Sequence, residues 1–166
     1  MSKVYGTIAS YAPLREERTR TVACYDMQPL ADGIHATWHE VYFNHRIDGH
    51  PDLAKIKAAI IADINARTDE RILTGFSWSG KNVWLSTENQ FNFKAAYDLA
   101  LQTQGESLPV KFKLGEDGDG QPVYHTFTTL TAFTDFYTRA IAYISQCLNE
   151  GWQMKDGMDW SVYDTE

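Results

Sequence analysis

His35 and His39, followed by Glu40, have the i, i+4 spacing of a zinc pair. On a helix that spacing puts both imidazoles on one face. The run that carries them, Ile34-His-Ala-Thr-Trp-His-Glu-Val-Tyr-Phe43, is rich in aromatic and β-branched residues and reads as a strand. Residues four apart on a strand stand roughly 13 Å from each other, a distance one ion does not span. A looser site drawing in His45 and His50 has only nearness in sequence behind it, so no metal ligands are assigned.

Other candidate chemistry resolves in the same direction. Gly115-Glu-Asp-Gly-Asp-Gly120 has the composition of a calcium loop, but its flanks read as strands and no glutamate closes it, so a hairpin turn is expected. Asp26, Asp32 and Glu40 include no pair whose separation the sequence sets. Ser79-Gly-Lys81 lacks the upstream glycine and the following hydroxyl of a phosphate loop, and neither a GxSxG elbow nor an HExxH helix occurs. Cys24 and Cys147 form no CxxC motif, and Cys147 falls on the apolar face of a helix, so both are expected to be buried, reduced thiols. The expectation is a non-enzyme without cofactor, with a small enzyme of unfamiliar type as the remote alternative.

Binding chemistry is better represented. Residues 75–93 place Phe76, Trp78, Trp84, Phe91 and Phe93 among Ser, Lys, Asn and Gln side chains. Phe76 and Trp78 share a strand face and are expected to pack. Phe91 and Phe93 lie ~200° apart on a helix, so one of them should be exposed. Aromatic anchors flanked by amides suit a protein–protein surface, for which Trp84, Asn89, Gln90 and Asn92 are the candidates.

The whole chain of 166 residues has 43 % apolar and 22 % charged residues and a net charge of −7, values of an ordinary globular domain. From Glu106 onward four basic residues face ten acidic ones, so almost all the excess negative charge is C-terminal. That sign disfavours phosphate backbones, and nucleic acid is not an expected partner. Glu116, Asp117 and Asp119 are instead candidates for contact with a basic surface. The N-terminus lacks the basic and apolar regions of a signal peptide, and no apolar run approaches the ~20 residues of a membrane span. No membrane role is expected, and the protein is expected to stay in the cytoplasm that makes it unless a larger particle carries it out.

The elements that must position these groups can be read from period and punctuation. Runs 4–11, 19–27 and 34–43 are expected strands of a small N-terminal antiparallel sheet. A helix should open at His50-Pro51-Asp52 and bury Leu53, Ile56, Ile60 and Ile64 at 3-4-4 spacing, with Asp63, Asn65 and Asp69 off the stripe. Gly75 is expected as its left-handed cap. A hairpin around Ser79–Asn82, a helix capped by the box Thr87-Glu-Asn-Gln90, a second hairpin at 109–114 and 122–127, and a last helix from Thr131 to Gly151 follow. The class is α+β: a small N-terminal antiparallel sheet, then helix–hairpin–helix–hairpin–helix. The expected division is 1–49, 50–152 and a tail, 153–166.

Arg67, Arg71, Gly75, Phe76, Trp78, Gly80 and Trp84, followed by Asn89, Gln90 and Asn92, and later by Thr129-Leu-Thr-Ala-Phe133 opening an aromatic helix, resemble an uncharacterised domain family of tailed-phage and prophage proteins. The resemblance covers roughly 55–152. The acidic 115–120 hairpin is longer than that family's pattern, and the first fifty residues fall outside it. Members often accompany tail-fibre or tail-fibre-assembly-like proteins. The resemblance therefore implies a phage tail or tail-fibre protein as partner and a minor structural or assembly role, without catalytic residues to transfer. A homo-oligomer is compatible with it. The competing expectation is a host-directed regulator or inhibitor that binds a basic host protein through the acidic C-terminal third.

Overall fold

The computed structural model describes residues 3–164. Helix accounts for 44 % and strand for 29 % of the described residues, in separate segments rather than alternating βαβ units, so the class is α+β. Contacts divide the chain into two compact units: residues 1–66 together with 152–166, and residues 67–151. The expected boundary at residue 49 lies within the first unit.

The first unit holds a four-stranded antiparallel sheet made of β1 (Lys3–Thr7), β2 (Leu14–Glu16), β3 (Arg20–Pro29) and β4 (His35–Asn44), in the order β1-β4-β3-β2. β2 is not among the expected strands; pairing of Glu16 with Thr21 places it at the sheet edge. β3 and β4 are buried on both faces. Ala23, Tyr25, Val41 and Phe43 pack with Ile56, Ile60 and Ile64 of helix α1 (Leu53–Thr74), and Tyr163 joins them. Val22, Cys24, Ala36 and Trp38 on the opposite face are covered by Val4, Ile8, Tyr11 and Met27.

α1 begins two residues later than the proline predicts. Asp52 is the cap, its carboxylate accepting the Lys55 N–H at 2.8 Å, and Pro51 precedes it. Asp63 lies off the apolar stripe, as its spacing predicts, yet it is only 8 % exposed and is hydrogen-bonded by the Tyr25 hydroxyl.

In the second unit, β5 (Phe76–Trp78) and β6 (Lys81–Val83) form a hairpin. Its two-residue turn has Ser79 at φ 50° and Gly80 at φ 72°, the doubly left-handed conformation that matches strand twist. α2 (Thr87–Gln102) follows, then β7 (Val110–Glu116) paired with β8 (Pro122–Phe127), then the amphipathic α3 (Leu130–Asp156). Phe93, Phe127, Phe133 and Phe136 are fully buried in one aromatic core with Trp78 and Cys147.

Three punctuation marks differ from expectation. The cap of α2 is Ser86, accepting the Asn89 N–H at 3.2 Å, one residue before the expected box. Gly75 does not adopt positive φ; a Cβ there would strike the Tyr143 hydroxyl. Gly151 does not end α3, which runs on to Asp156. A Cβ at Gly151 would stand 2.7 Å from Thr68 Oγ1, so this glycine permits close helix packing.

Candidate functional site

The second unit carries a largely apolar cleft of about 530 Å³ lined by Asp69, Ile72, Leu73, Leu85, Gln90, Ile144 and Leu148, among others. Its walls follow from local bonding. The Leu85 N–H donates to the Leu73 carbonyl at 3.1 Å, tying the exit of the hairpin to the end of α1. Ser86 then starts α2, and the Gln90 side chain donates to the Leu85 carbonyl at 2.6 Å. Ile72 and Leu85 form a buried floor, while Leu73 remains 40 % exposed. Phe91, one residue past Gln90, is 71 % exposed, whereas Phe93 is in the core. One ring out and one ring in is the disposition that their helical spacing predicts.

Trp84 is half-buried. Its ring packs near Gly115, where a Cβ would meet it at 3.2 Å. The Lys113 ammonium lies 5.5 Å from the ring centroid, and the Trp84 N–H donates to the Leu114 carbonyl at 2.7 Å. Asn89 donates its side-chain amide to the Trp84 carbonyl at 2.8 Å. The amides of Asn89 and Gln90 thus satisfy carbonyls that lead into α2, and Asn92 stands exposed on the helix.

The acidic candidates cluster at the β7–β8 turn. Glu116 accepts Lys113 Nζ at 2.8 Å. Asp117 Oδ1 accepts the N–H groups of Asp119 at 3.0 Å and Gln121 at 2.8 Å, organising the turn. Asp119 is exposed. Glu116 and Asp117 also line a smaller cleft of about 260 Å³ with Gly80, Lys81, Asn82 and Val123, so the two hairpins of this unit meet there.

In the first unit the structure gives Glu40, weighed above only as a possible catalytic or metal-binding acid, a set of partners that was not expected. Glu40, 5 % exposed, accepts hydrogen bonds from Trp38 Nε1 at 2.8 Å, the Tyr42 hydroxyl at 2.6 Å and Arg15 Nη2 at 2.8 Å. Burial raises its carboxyl pKa, but these three bonds outweigh that, leaving it below the ordinary glutamate value. The adjacent Cys24 thiol is pushed up to about 12, chiefly by burial, the opposite of an activated nucleophile. The alternation Trp38-x-Glu40-x-Tyr42 was the available signal, since period two puts all three on one face of β4.

Both cysteines are buried free thiols, as expected. Among the described residues no helix is long and apolar enough to cross a membrane.

The arrangement of the second unit is suited to non-covalent contact: an open cleft with an aliphatic floor and the fixed Gln90 amide in its lining, and an exposed ring at the next residue, Phe91. Residues 55–166 match the family described as a domain of unknown function, DUF4376. The chain belongs to that family. The match takes in the whole second unit and the C-terminal segment, and leaves β1 to β4 outside. It bears out the expected membership of an uncharacterised domain family and extends it beyond residue 152. No curated protein and no solved structure matches the chain.

Proposed function

We propose that this DUF4376 protein is a phage or prophage tail-module protein, a minor structural component or fibre-assembly factor that acts through protein–protein contacts. The observation that carries this reading is the apolar cleft of Leu73, Leu85, Ile144 and Leu148, together with the exposed Phe91 that follows its lining residue Gln90 in the chain. Placing one leucine-sized side chain in such a cleft is worth about 1.5–3 kcal/mol, an energy suited to an anchor on a partner chain. The resemblance of residues 64–84 and 129–133 to a phage and prophage domain family supplies the setting.

The test is co-purification of the tagged protein with the tail-fibre product of its own genome, together with mass spectrometry of purified particles. The reading expects a fibre complex or a place in the particle, and expects Leu73→Asp to abolish the complex while the protein stays folded. Absence from both would overturn it. The host-directed alternative has weaker footing, because Glu116 is already paired with Lys113 and Asp117 is engaged in its turn.

A further inference from the structure

The far end of the sheet brings together three ligand types from three separate segments. Glu16 ends β2, His45 follows β4, and His50 precedes α1. The Glu16 Oε2 atom lies 3.3 Å from His45 Nε2 and 3.7 Å from His50 Nδ1. All three ligand atoms fall within 4.8 Å of one another. An ion held about 2.1 Å from each of three N or O donors in tetrahedral geometry requires donor separations of about 3.4 Å, so the two measured edges already match.

The sheet register explains why they converge. Glu16 pairs with Thr21, and Thr21 pairs with Phe43, so Glu16 and the residues just past Phe43 flank Thr21. His45 is anchored there by its N–H to the Thr19 carbonyl at 3.0 Å. The chain then turns back: the Asn44 N–H donates to Asp48 Oδ2 at 2.8 Å, and Gly49 takes φ 68°. That reversal sets the His50 ring 4.1 Å from the His45 ring, centroid to centroid.

We propose that Glu16, His45 and His50 form a binding site for a divalent transition metal of the zinc class. Two imidazoles and one carboxylate suit zinc better than calcium or magnesium, which prefer all-oxygen shells. Thr21 supplies the outer support. Its hydroxyl donates to Glu16 Oε1 at 2.8 Å, which leaves Oε2 directed at the histidines. Thr21 Oγ1 also lies 3.0 Å from His45 Nε2, so one hydroxyl touches both ligand side chains. Coordination through Nε2 requires the His45 proton on Nδ1, which leaves the Nε2 lone pair for the ion. The neighbouring guanidinium groups are held by other carboxylates, Arg15 by Glu40 at 2.8 Å and Arg20 by Glu17 at 2.6 Å. The His50 and Glu16 side chains are 75 % and 52 % exposed, so water completes the coordination shell.

The experiment is calorimetric titration of Zn²⁺ into untagged, full-length protein dialysed against a chelator. The expected result is one Zn²⁺ per chain and a zinc-dependent rise in melting temperature. Glu16→Gln, His45→Ala and His50→Ala should each weaken binding by about tenfold or more, and His35→Ala should not. If His45→Ala fails to fold, the two exposed positions decide. Failure to bind one ion per chain, or retention of the affinity to within tenfold in both Glu16→Gln and His50→Ala, overturns the proposal.

Discussion

Tyr143 donates its hydroxyl to the Arg71 carbonyl at 2.9 Å, bridging α3 to the last turn of α1. Gly75 lies against that hydroxyl, and a Cβ there would also come within 2.7 Å of the Arg71 carbonyl oxygen. The glycine is therefore required by the neighbour it faces, with ordinary backbone dihedrals of its own.

Gly75→Ala should cost about 1–3 kcal/mol, the usual penalty for forcing atoms into a filled space. Urea denaturation measures it. Adding Tyr143→Phe should recover part of the loss, because one of the two obstructing oxygens is gone. An additive double variant would show that the hydroxyl is not the obstacle.

Glu40→Gln should destabilise the first unit by about 2–3 kcal/mol, since three hydrogen bonds to a charged acceptor are weakened at once. The pH dependence has a definite sign. Glu40 has a folded pKa below its ordinary 4.5, so its contribution is complete above pH 4.5 and is lost as pH falls below that value. Acid titration of stability should be shallower in Glu40→Gln than in the parent below pH 4.5.

Asn89→Ala and Gln90→Ala should each cost about 1 kcal/mol, because each removes a bond to a carbonyl entering α2. Asn92→Ala, on the exposed face, should stay within about 0.5 kcal/mol of the parent. Trp84→Ala should cost more than either amide, through lost packing on Gly115 and Lys113. Comparing melting curves across these four variants separates the structural members of the stretch from the one left open.

Leu73→Asp and Phe91→Ala should reduce capture of a fibre partner by tenfold or more, with circular dichroism unchanged. Leu73 and Phe91 are exposed, so their replacement leaves the core intact. Equal capture by parent and both variants would remove the cleft from the proposed function.

Charge reversal at Asp119 tests the competing reading. A host protein bound through the acidic turn should release in high salt and bind Asp119→Lys more weakly. Partner binding through the cleft should be insensitive to both.

Much of the fold was legible because its signals are local. The 3-4-4 stripe of Leu53, Ile56, Ile60 and Ile64, the Ser79-Gly80 turn, and the opposed directions of Phe91 and Phe93 each depend on backbone periodicity within a few residues. Boundaries were less legible where two residues compete for one role. Ser86 and Thr87 are both good caps, and the hydrogen-bond geometry at Asn89 selects Ser86.

The sequence by itself determined the α+β order, the buried thiols and family membership, all carried by contiguous pattern. Tertiary structure decided the roles of Gly75 and Gly151, the burial of Asp63 beneath Tyr25, the cleft behind Leu73 and the meeting of Glu16, His45 and His50. Each of these depends on atoms brought within a few ångströms from distant parts of the chain. Strand register and helix packing place them there, and neither is encoded in the spacing of the residues concerned.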